Sequence, residues 1–257
     1  MTILDEILAE KELEVARLKR TYHPGQYQAI YQKRSLYDTF MASNKMNIIA
    51  EIKRASPSKG IINEHVNPSA QAQEYEKYGA GTISVLTDQP FFKGTMDDLQ
   101  SVREAVKIPI LNKDFIIDEI QIERASDYGA SVILLIAAAL PKARLEQLFN
   151  YAKAKDLEIL VEVHNTEEMK VANDIGAKII GVNNRNLKTF EVDLGITERL
   201  AQQVKHQDTL LISESGIQTA EDVERIKRSG VKGILVGETM MRSGNLQQTF
   251  QQLRIPL

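Results

Sequence analysis

Charged residues interrupt several short apolar runs of the sequence. Glu51 and Lys53 stand two residues apart in AEIKRASPSKG, so an extended segment would carry both on one face. Lys113 ends the run PILNK, and Glu162 lies between two valines in LVEVHN. Charged side chains are rarely buried unless they are paired. These four residues therefore predict either internal Lys–Glu ion pairs or acid–base groups that face a ligand.

Other residues near the ends of apolar runs are suited to an anionic ligand. Asn183 and Arg185 alternate in GVNNRNL and offer amide and guanidinium donors, although an Asn-rich turn explains them equally well. Gly216 in ISESGI and Gly237 in LVGETMM each follow a run, and the second glycine opens a predicted short helix. Backbone N–H groups in such loops bind phosphate. Either glycine alone fits an ordinary turn, but the two together favour a phosphate site.

Three large apolar side chains lie in or just after neighbouring runs. Phe92 and Phe115 fall in predicted loops, and Leu134 belongs to ILLIAAAL. Such residues can line a slot for a flat aromatic ring, although packing in the core is their more frequent role.

Eight β-branched apolar runs alternate with amphipathic stretches from residue 47 onward, which is typical of parallel strands joined by crossover helices. Their near-continuous hydrophobicity indicates strands buried on both faces. The residues described above lie at the carboxyl ends of these strands, where barrels of this kind carry their chemistry. The predicted strands are Asn47–Glu51, Thr82–Thr87, Pro109–Asn112, Ser131–Ile136, Glu158–Val163, Ile179–Asn183, Thr209–Ser213 and Gly233–Val236.

A weak internal repeat favours a closed barrel over an open sheet. A glycine followed by alanine, or in the last case by valine, ends a helical pattern before each even-numbered strand, at Gly79, Gly129, Gly176 and Gly230. Glycine supplies the left-handed conformation that terminates a helix. One such signal for every two βα units, four times over, predicts an α/β fold with eight units, a single (β/α)₈ TIM barrel.

The first 46 residues do not belong to this repeat. Apolar residues among charged neighbours predict an amphipathic helix there that lies on the barrel. These apolar residues are Ile3, Ile7, Leu13, Val15 and Leu18. The length of 257 residues suits one barrel, so we expect a single domain over 1–257, with an N-terminal helical extension at 1–46 and the barrel at 47–257.

Composition narrows the classes of partner and site. The 32 basic and 35 acidic residues give a net charge of −3, so nucleic acid is not expected as a partner. The chain has no cysteine, which excludes disulfides and thiolate sites. His23, His65, His164 and His206 stand far apart, so no metal site is expected. The lack of a long apolar run and the charged N-terminus predict no membrane contact and a cytoplasmic location.

Together these residues resemble the indole-3-glycerol phosphate synthase family, and the resemblance spans nearly the whole chain. It rests on ordered motifs at barrel-like intervals. These motifs are AEIKRASPSKG, SVLTDQPFFKG, PILNKDFIID, LLIAAAL, LVEVHN, GVNNRNL, ISESGI and LVGETMM.

The resemblance implies a reaction and a role for each charged residue. The family converts 1-(2-carboxyphenylamino)-1-deoxyribulose 5-phosphate into indole-3-glycerol phosphate, with release of carbon dioxide and water and without cofactor or metal. By resemblance, Lys113 is the general acid that protonates the ribulose carbonyl, and Glu162 is its acid–base partner. Lys53 would bind the anthranilate carboxylate and act in dehydration, with Glu51 as a nearby base.

The resemblance also implies a set of substrate contacts. Near Glu238 only the backbone amide can bind phosphate, because its carboxylate would repel the anion. General substrate contacts would come from Asn183, Arg185, Glu214 and Ser215. The phosphate would be bound by Lys53, Ser56, Gly216, Gly237 and Glu238. The aromatic ring would be bound by Phe92, Phe115, Leu134 and Leu187.

Two other readings of the same residues are open. One is a barrel aldolase or isomerase in which Lys113 forms a Schiff base with a sugar phosphate. The other is an inactive barrel that binds a phosphorylated ligand or a partner protein, which the presence of Glu51, Lys53, Lys113 and Glu162 disfavours. A phosphorylated small molecule is the expected partner, and nothing in the sequence indicates that another enzyme of the pathway docks.

Overall fold

The computed structural model of the protein describes residues 2–27, 31–32 and 34–257. Eight parallel strands form a closed barrel in which each strand pairs with the next along the chain, and the eighth pairs with the first. The predicted TIM barrel is therefore confirmed, with every strand end within one residue of its predicted place. The barrel strands are β1 Asn47–Ile52, β2 Thr82–Leu86, β3 Ile110–Lys113, β4 Val132–Ile136, β5 Glu158–Val163, β6 Ile179–Asn183, β7 Leu210–Glu214 and β8 Gly233–Val236.

Helices follow the strands and cover the outside of the barrel. A short antiparallel pair, Ala55–Ser56 with Gly60–Ile61, extends the loop after β1, and a 3₁₀ turn at Ala137–Ala139 follows β4. The helices are α1 Ile3–Thr21, α2 Leu36–Ala42, α3 Pro68–Tyr78, α4 Gln89–Phe92, α5 Met96–Ala105, α6 Glu119–Asp127, α7 Lys142–Ala154, α8 Thr166–Asp174, α9 Gly195–Ala201, α10 Ala220–Lys227, α11 Glu238–Met241 and α12 Leu246–Leu253. Within the described ranges, none of these helices is both long and apolar enough to cross a bilayer.

The glycines of the internal repeat have the backbone conformation that the sequence predicts. Gly79, Gly129, Gly176 and Gly230 have φ values of 103°, 97°, 71° and 80°. This left-handed region is costly for other residues and lets each glycine end a helix and turn the chain into the next strand.

A phenyl ring from α2 closes the amino-terminal end of the barrel. Phe40 is fully buried among side chains that point into the barrel. Gly81 and Gly233, at the amino ends of two strands, make room for this ring, because a Cβ at either position would lie within 2.9 Å of it. The opposite end of the barrel is left for the functional site.

The N-terminal helix α1 is present as predicted, but the assignment of one residue, Leu13, to its buried apolar face is wrong. Ile7, Val15 and Leu18 are buried, whereas Leu13 is 66% exposed. The helical period brings Lys11, not Leu13, into line with the buried residues. Lys11 is 1% exposed and is compensated by ion pairs with carboxylates, so a charged side chain occupies the centre of the contact.

Candidate active site

A cavity of about 1130 Å³ opens at the carboxyl ends of the barrel strands. Every site residue that the sequence predicts lines this cavity, although the residues come from all parts of the barrel. They are Glu51, Lys53, Ser56, Phe92, Lys113, Phe115, Leu134, Glu162, Asn183, Arg185, Leu187, Glu214, Ser215, Gly216, Gly237 and Glu238.

Lys113 lies at the centre of a cluster of carboxylates. Its Nζ is 2.8 Å from Oε2 of Glu162 on β5 and 3.4 Å from Oε2 of Glu214 on β7. Both carboxylates are almost fully buried. The predicted ion pair between a strand-end lysine and a strand-end glutamate therefore exists, and it borders the cavity instead of being sealed in the core.

A second ion pair lies at the end of β1. Lys53 Nζ is 2.7 Å from Oε1 of Glu51, as expected for residues two apart on one face of a strand. Gly237 leaves space for this pair, because a Cβ there would lie 2.4 Å from Glu51 Oε1. Gly181 on β6 does the same for Glu214, whose Oε1 would lie 2.0 Å from an added Cβ. Two glycines thus make room for the carboxylates.

Burial and mutual charge separate the protonation behaviour of these groups. Burial alone would lower the pKa of Lys113, but the neighbouring carboxylates outweigh it and raise that pKa, so the side chain is an ammonium. Burial, together with the negative charges of Glu162 and Glu51, raises the pKa of Glu214 to about 7 against the opposing effect of Lys113. Lys113 is therefore a firm cation, and the neighbouring carboxyl group of Glu214 titrates near neutral pH.

Glu162 is held in its charged form. Burial would raise the pKa of its carboxyl, but Lys113 and His164 together bring it well below its usual range. Asn183 contributes a hydrogen bond from Nδ2 to Oε1 of 3.2 Å. Every described polar contact to Glu162 thus comes from a donor or a cation.

Asn183 and Arg185 are arranged by the loop after β6. Asn183 Oδ1 accepts a hydrogen bond of 3.0 Å from the backbone N–H of Arg185. The sequence left open whether Asn183 and Arg185 form a turn or supply donors to a ligand, and the structure is compatible with both at once. The Arg185 guanidinium donates to the carbonyl of Phe190 at 3.2 Å and borders the cavity.

One wall of the cavity is apolar. The rings of Phe92 and Phe115 lie with their centroids 5.9 Å apart and their planes inclined by 36°. Leu134 and Leu187 line the same cavity. This wall can accept a flat ring, as the sequence predicts.

The glycine loops after β7 and β8 line the cavity as well. Ser215 and Gly216 both have positive φ, 67° and 86°, and a Cβ on Gly216 would lie 2.4 Å from Val192. Gly237 is the N-cap of α11, so the predicted short helix after β8 is confirmed. The Glu238 carboxylate contacts Lys59 at 3.6 Å and Arg242 at 3.2 Å, leaving its backbone amide as the group suited to an anion.

Several lining residues escaped prediction. Ile3, Leu4 and Ile7 of α1 reach the cavity, and an amphipathic pattern does not reveal that a helix crosses a barrel mouth. Lys59 and Arg242 add positive charge to the rim. Lys59 could have been predicted, because it belongs to the basic loop AEIKRASPSKG. Arg242 could not, because a single arginine after a short helix does not indicate a site.

Comparison with known proteins agrees with the geometry. Residues 4–253 match the indole-3-glycerol phosphate synthase family. The chain belongs to this family. Indole-3-glycerol phosphate synthases of Oceanobacillus iheyensis and Bacillus cereus are 53% and 50% identical to it. The first alignment covers 100% of this chain and 98% of the relative, and the second covers 99% and 98%.

Solved structures resemble this family member in fold alone. A 3-hexulose-6-phosphate synthase superimposes with a TM-score of 0.62 at 14% identity, covering 81% of this chain and 98% of the other. A thiamine phosphate pyrophosphorylase from Pyrococcus furiosus superimposes with a TM-score of 0.61 at 16% identity, covering 85% and 96%. At such low identity these similarities support the barrel architecture and carry no assignment of substrate.

Proposed function

We propose that this chain closes and decarboxylates 1-(2-carboxyphenylamino)-1-deoxyribulose 5-phosphate to form indole-3-glycerol phosphate. The observation that carries the proposal is the position of Lys113, an ammonium between two buried carboxylates at the edge of the cavity. An apolar wall and two glycine loops border the same space. A substrate with an aromatic ring, a carbonyl and a phosphate matches these features.

Ring closure needs an acid at the substrate carbonyl. In our proposal the aromatic carbon attacks C2 of the ribulose chain while Lys113 donates a proton to the carbonyl oxygen. The product of this step is an iminium cation. Glu162, which stays ionised beside Lys113, stabilises that cation electrostatically until carbon dioxide leaves and the ring electrons are restored.

Dehydration needs a second proton donor near the new hydroxyl group. Lys53 and Glu51 form a separate ion pair at the end of β1 and are the groups that we assign to this step. Lys53 would donate to the leaving hydroxyl, and Glu51 would accept the proton that aromatisation releases. Before that, Lys53 would bind the anthranilate carboxylate as its counter-ion.

Binding of the phosphate is assigned to the loops after β7 and β8, and the β8 loop lies beside the Glu51–Lys53 pair. The backbone N–H groups of Gly216, Gly237 and Glu238 are suited to it, with Ser56 and Lys53 supplying side-chain donors. Asn183, Arg185, Glu214 and Ser215 would contact the rest of the chain of the substrate. The ring would lie against Phe92, Phe115, Leu134 and Leu187.

The protonation state of Lys113 argues against a Schiff-base mechanism. An amine must be neutral to attack a carbonyl, and the carboxylates around Lys113 raise its pKa and keep it protonated. Treatment with substrate and borohydride should therefore leave the mass of the protein unchanged. A permanent mass increase at Lys113 would favour the aldolase-type alternative.

The direct test is formation of the indole product. Purified protein is mixed with the anthranilate-derived substrate in the presence of a chelator, and indole fluorescence is followed. We expect fluorescence to appear with a time course proportional to enzyme concentration. Absence of product from folded protein would contradict the proposal.

We further propose a phosphorylated small molecule as the partner and the cytoplasm as the location. Cell fractionation can test the location.

A further inference from the structure

His164 lies behind Glu162 and outside the lining of the cavity. It follows directly after the last residue of β5, and its side chain is 11% exposed. Its Nδ1 is hydrogen-bonded to Oε2 of Glu168 at 3.0 Å. Its Nε2 is 3.2 Å from Oε1 of Glu162, an ion-pair contact without hydrogen-bond geometry. The imidazole ring is thus placed between two carboxylates.

This placement determines the charge of the ring. A neutral imidazole has one N–H group and one lone pair, so it can donate to one carboxylate only. The lone pair on its other nitrogen would then face the second carboxylate. The imidazolium form has an N–H on each nitrogen and avoids this repulsion. The position of the ring between two carboxylates therefore favours a positively charged His164.

Glu168 is itself fixed in place. Its carboxylate accepts a hydrogen bond from the backbone N–H of His164 at 2.7 Å and another from Asn165 Nδ2 at 2.6 Å. Its own N–H donates to Asn165 Oδ1 at 2.9 Å, which caps α8. The first turn of α8 therefore holds the ring from behind, and the position of His164 follows from the cap and not from the substrate.

We propose that His164, oriented by Glu168, is a positioning residue that keeps a positive charge on Glu162 while Lys113 gives its proton to the substrate. The inference rests on the function proposed above. In the resting site Glu162 has two cationic neighbours, with Lys113 at Oε2 and His164 at Oε1. Once Lys113 is neutral, His164 is the cation that still balances Glu162.

The physical consequence concerns the proton on Lys113. A lone carboxylate would hold that proton strongly and would oppose its transfer to the carbonyl oxygen. A fixed imidazolium on the far side of Glu162 weakens this attraction and keeps the carboxylate ionised for the iminium cation. His164 therefore acts on catalysis through Glu162, without touching the substrate.

Among the residues that the structure describes, two carboxylates are the charged groups that act on the imidazole ring of His164. Glu162 comes from β5 and Glu168 from α8. The 3₁₀ turn Ala137–Ala139, which packs against both elements, has no titratable side chain. Burial would lower the pKa of His164, but the two glutamates outweigh it and raise that pKa to about 10.

The charge can be measured directly by nitrogen NMR of protein labelled at histidine. His164→Gln identifies the signals of His164, and the exposed His23, His65 and His206 serve as internal references. We expect both ring nitrogens of His164 to carry a proton at pH 7.5. In Glu168→Gln, which preserves size and removes one charge, the pKa of the ring should fall by about 1 to 2 units.

The kinetic arm separates a charge effect from a structural one. His164→Gln keeps an amide donor but no charge, and we expect kcat to fall about tenfold with little change in KM, the effect of roughly one unit of pKa. In Glu168→Gln, kcat should fall as pH rises through the new pKa of the ring. Glu167→Gln is the matched control, because it removes the same charge from an exposed position on the same turn. Its kcat should equal that of the wild type.

Each outcome decides the question. A neutral His164 at pH 7.5, or a His164→Gln variant as fast as the wild type, overturns the inference. So does a rise in KM without a change in kcat. If Glu162→Gln is slow while His164→Gln is fast, the inference alone fails. If the wild type forms no indole product, the proposed function fails, and the NMR measurement still determines the charge of the ring.

Discussion

Two lysines of this chain are buried against carboxylates at the same end of the barrel, and they differ in what else they face. Lys11 of α1 contacts Asp114 at 2.7 Å, Asp88 at 3.0 Å and Glu14 at 2.7 Å. It does not line the cavity. Lys113 contacts two glutamates and borders the cavity. Asp114 also lines the cavity, but the Lys11 ammonium is enclosed by protein, whereas the Lys113 ammonium borders the cavity. We call the two groups the enclosed cluster and the open cluster.

The two clusters are adjacent along the chain. Asp114 follows Lys113 directly, and Asp88 caps α4, which ends at Phe92 of the apolar wall. Burial would lower the pKa of Lys11, but its carboxylate partners outweigh it and raise that pKa. We infer that the Lys11 cluster anchors α1 on the strand ends, while the Lys113 cluster presents its ammonium to the cavity. Similar charges therefore serve stability in one place and chemistry in the other.

The largest expected effect is on the open cluster. Lys113→Ala should lower kcat by ~10²–10⁴-fold with a smaller change in KM, because the lost proton transfer belongs to the transition state. Lys113→Arg should recover little activity, since a guanidinium keeps the charge but donates its proton poorly. Steady-state kinetics on both variants provide the measurement. An arginine variant with more than about half of the wild-type kcat would move the general-acid role to another residue, with Lys53 as the next candidate.

The sequence predicts the open cluster but not the enclosed one. Lys113 and Glu162 are visible because each interrupts a buried, β-branched strand, and strand ends converge in a barrel. Lys11 is one of several lysines on a charged helix, and its burial depends on Asp88 and Asp114, far away in the chain. The same ambiguity made Leu13 a false member of the apolar face. Local periodicity specifies a helix, whereas tertiary contacts decide which side faces inward.

Within the site as well, the sequence alone does not predict which charged side chains pair with one another. The eight strands follow from continuous hydrophobicity, and the repeat glycines follow from helix termination, so the barrel is predictable from local patterns. His164 is adjacent to a predicted residue, yet its meaning depends on the direction of its ring toward Glu168. Gly181 makes space for a carboxylate on another strand. Such pairings depend on register across the barrel, which a single sequence does not display.

The second largest effect is expected on the free energy of unfolding when Lys11 of the enclosed cluster is replaced. Lys11→Met should lower the free energy of unfolding by about 3–5 kcal/mol, because it leaves two buried aspartates without their cation. Chemical denaturation measures this change. If α1 and the barrel form one domain, as we propose for residues 1–257, a single transition should move to lower denaturant concentration. A separate early transition confined to α1 would contradict the single domain.

A smaller effect is expected on the pH dependence of stability, because Glu214 in the Lys113 cluster changes its protonation state near neutral pH. The pKa of Glu214 is raised from 4.5 to about 7 in the folded protein. A raised folded pKa stabilises the protein below the unfolded value, and this stability is lost as pH rises through the folded value. Glu214→Gln should abolish that loss, so its stability relative to the wild type should rise by about 2–3 kcal/mol between pH 4.5 and 8. Denaturation curves across this range test it, and parallel curves for the two proteins would show that Glu214 is ionised throughout.

The smallest effect is expected on the same helix as Lys11, at a position where water reaches the charge. Lys19 pairs with Asp118 at 2.6 Å, but its side chain is 57% exposed, whereas that of Lys11 is 1% exposed. Exposed pairs are screened by solvent and contribute about 0–1 kcal/mol. Lys19→Met should therefore change the free energy of unfolding by less than about 1 kcal/mol and leave kcat unaltered. Both variants replace a lysine of α1 by methionine, so their difference reports the burial of Lys11 together with its larger number of carboxylate partners. Equal destabilisation by the two substitutions would show that the Lys11 cluster is an ordinary surface pair and would remove the contrast with Lys113.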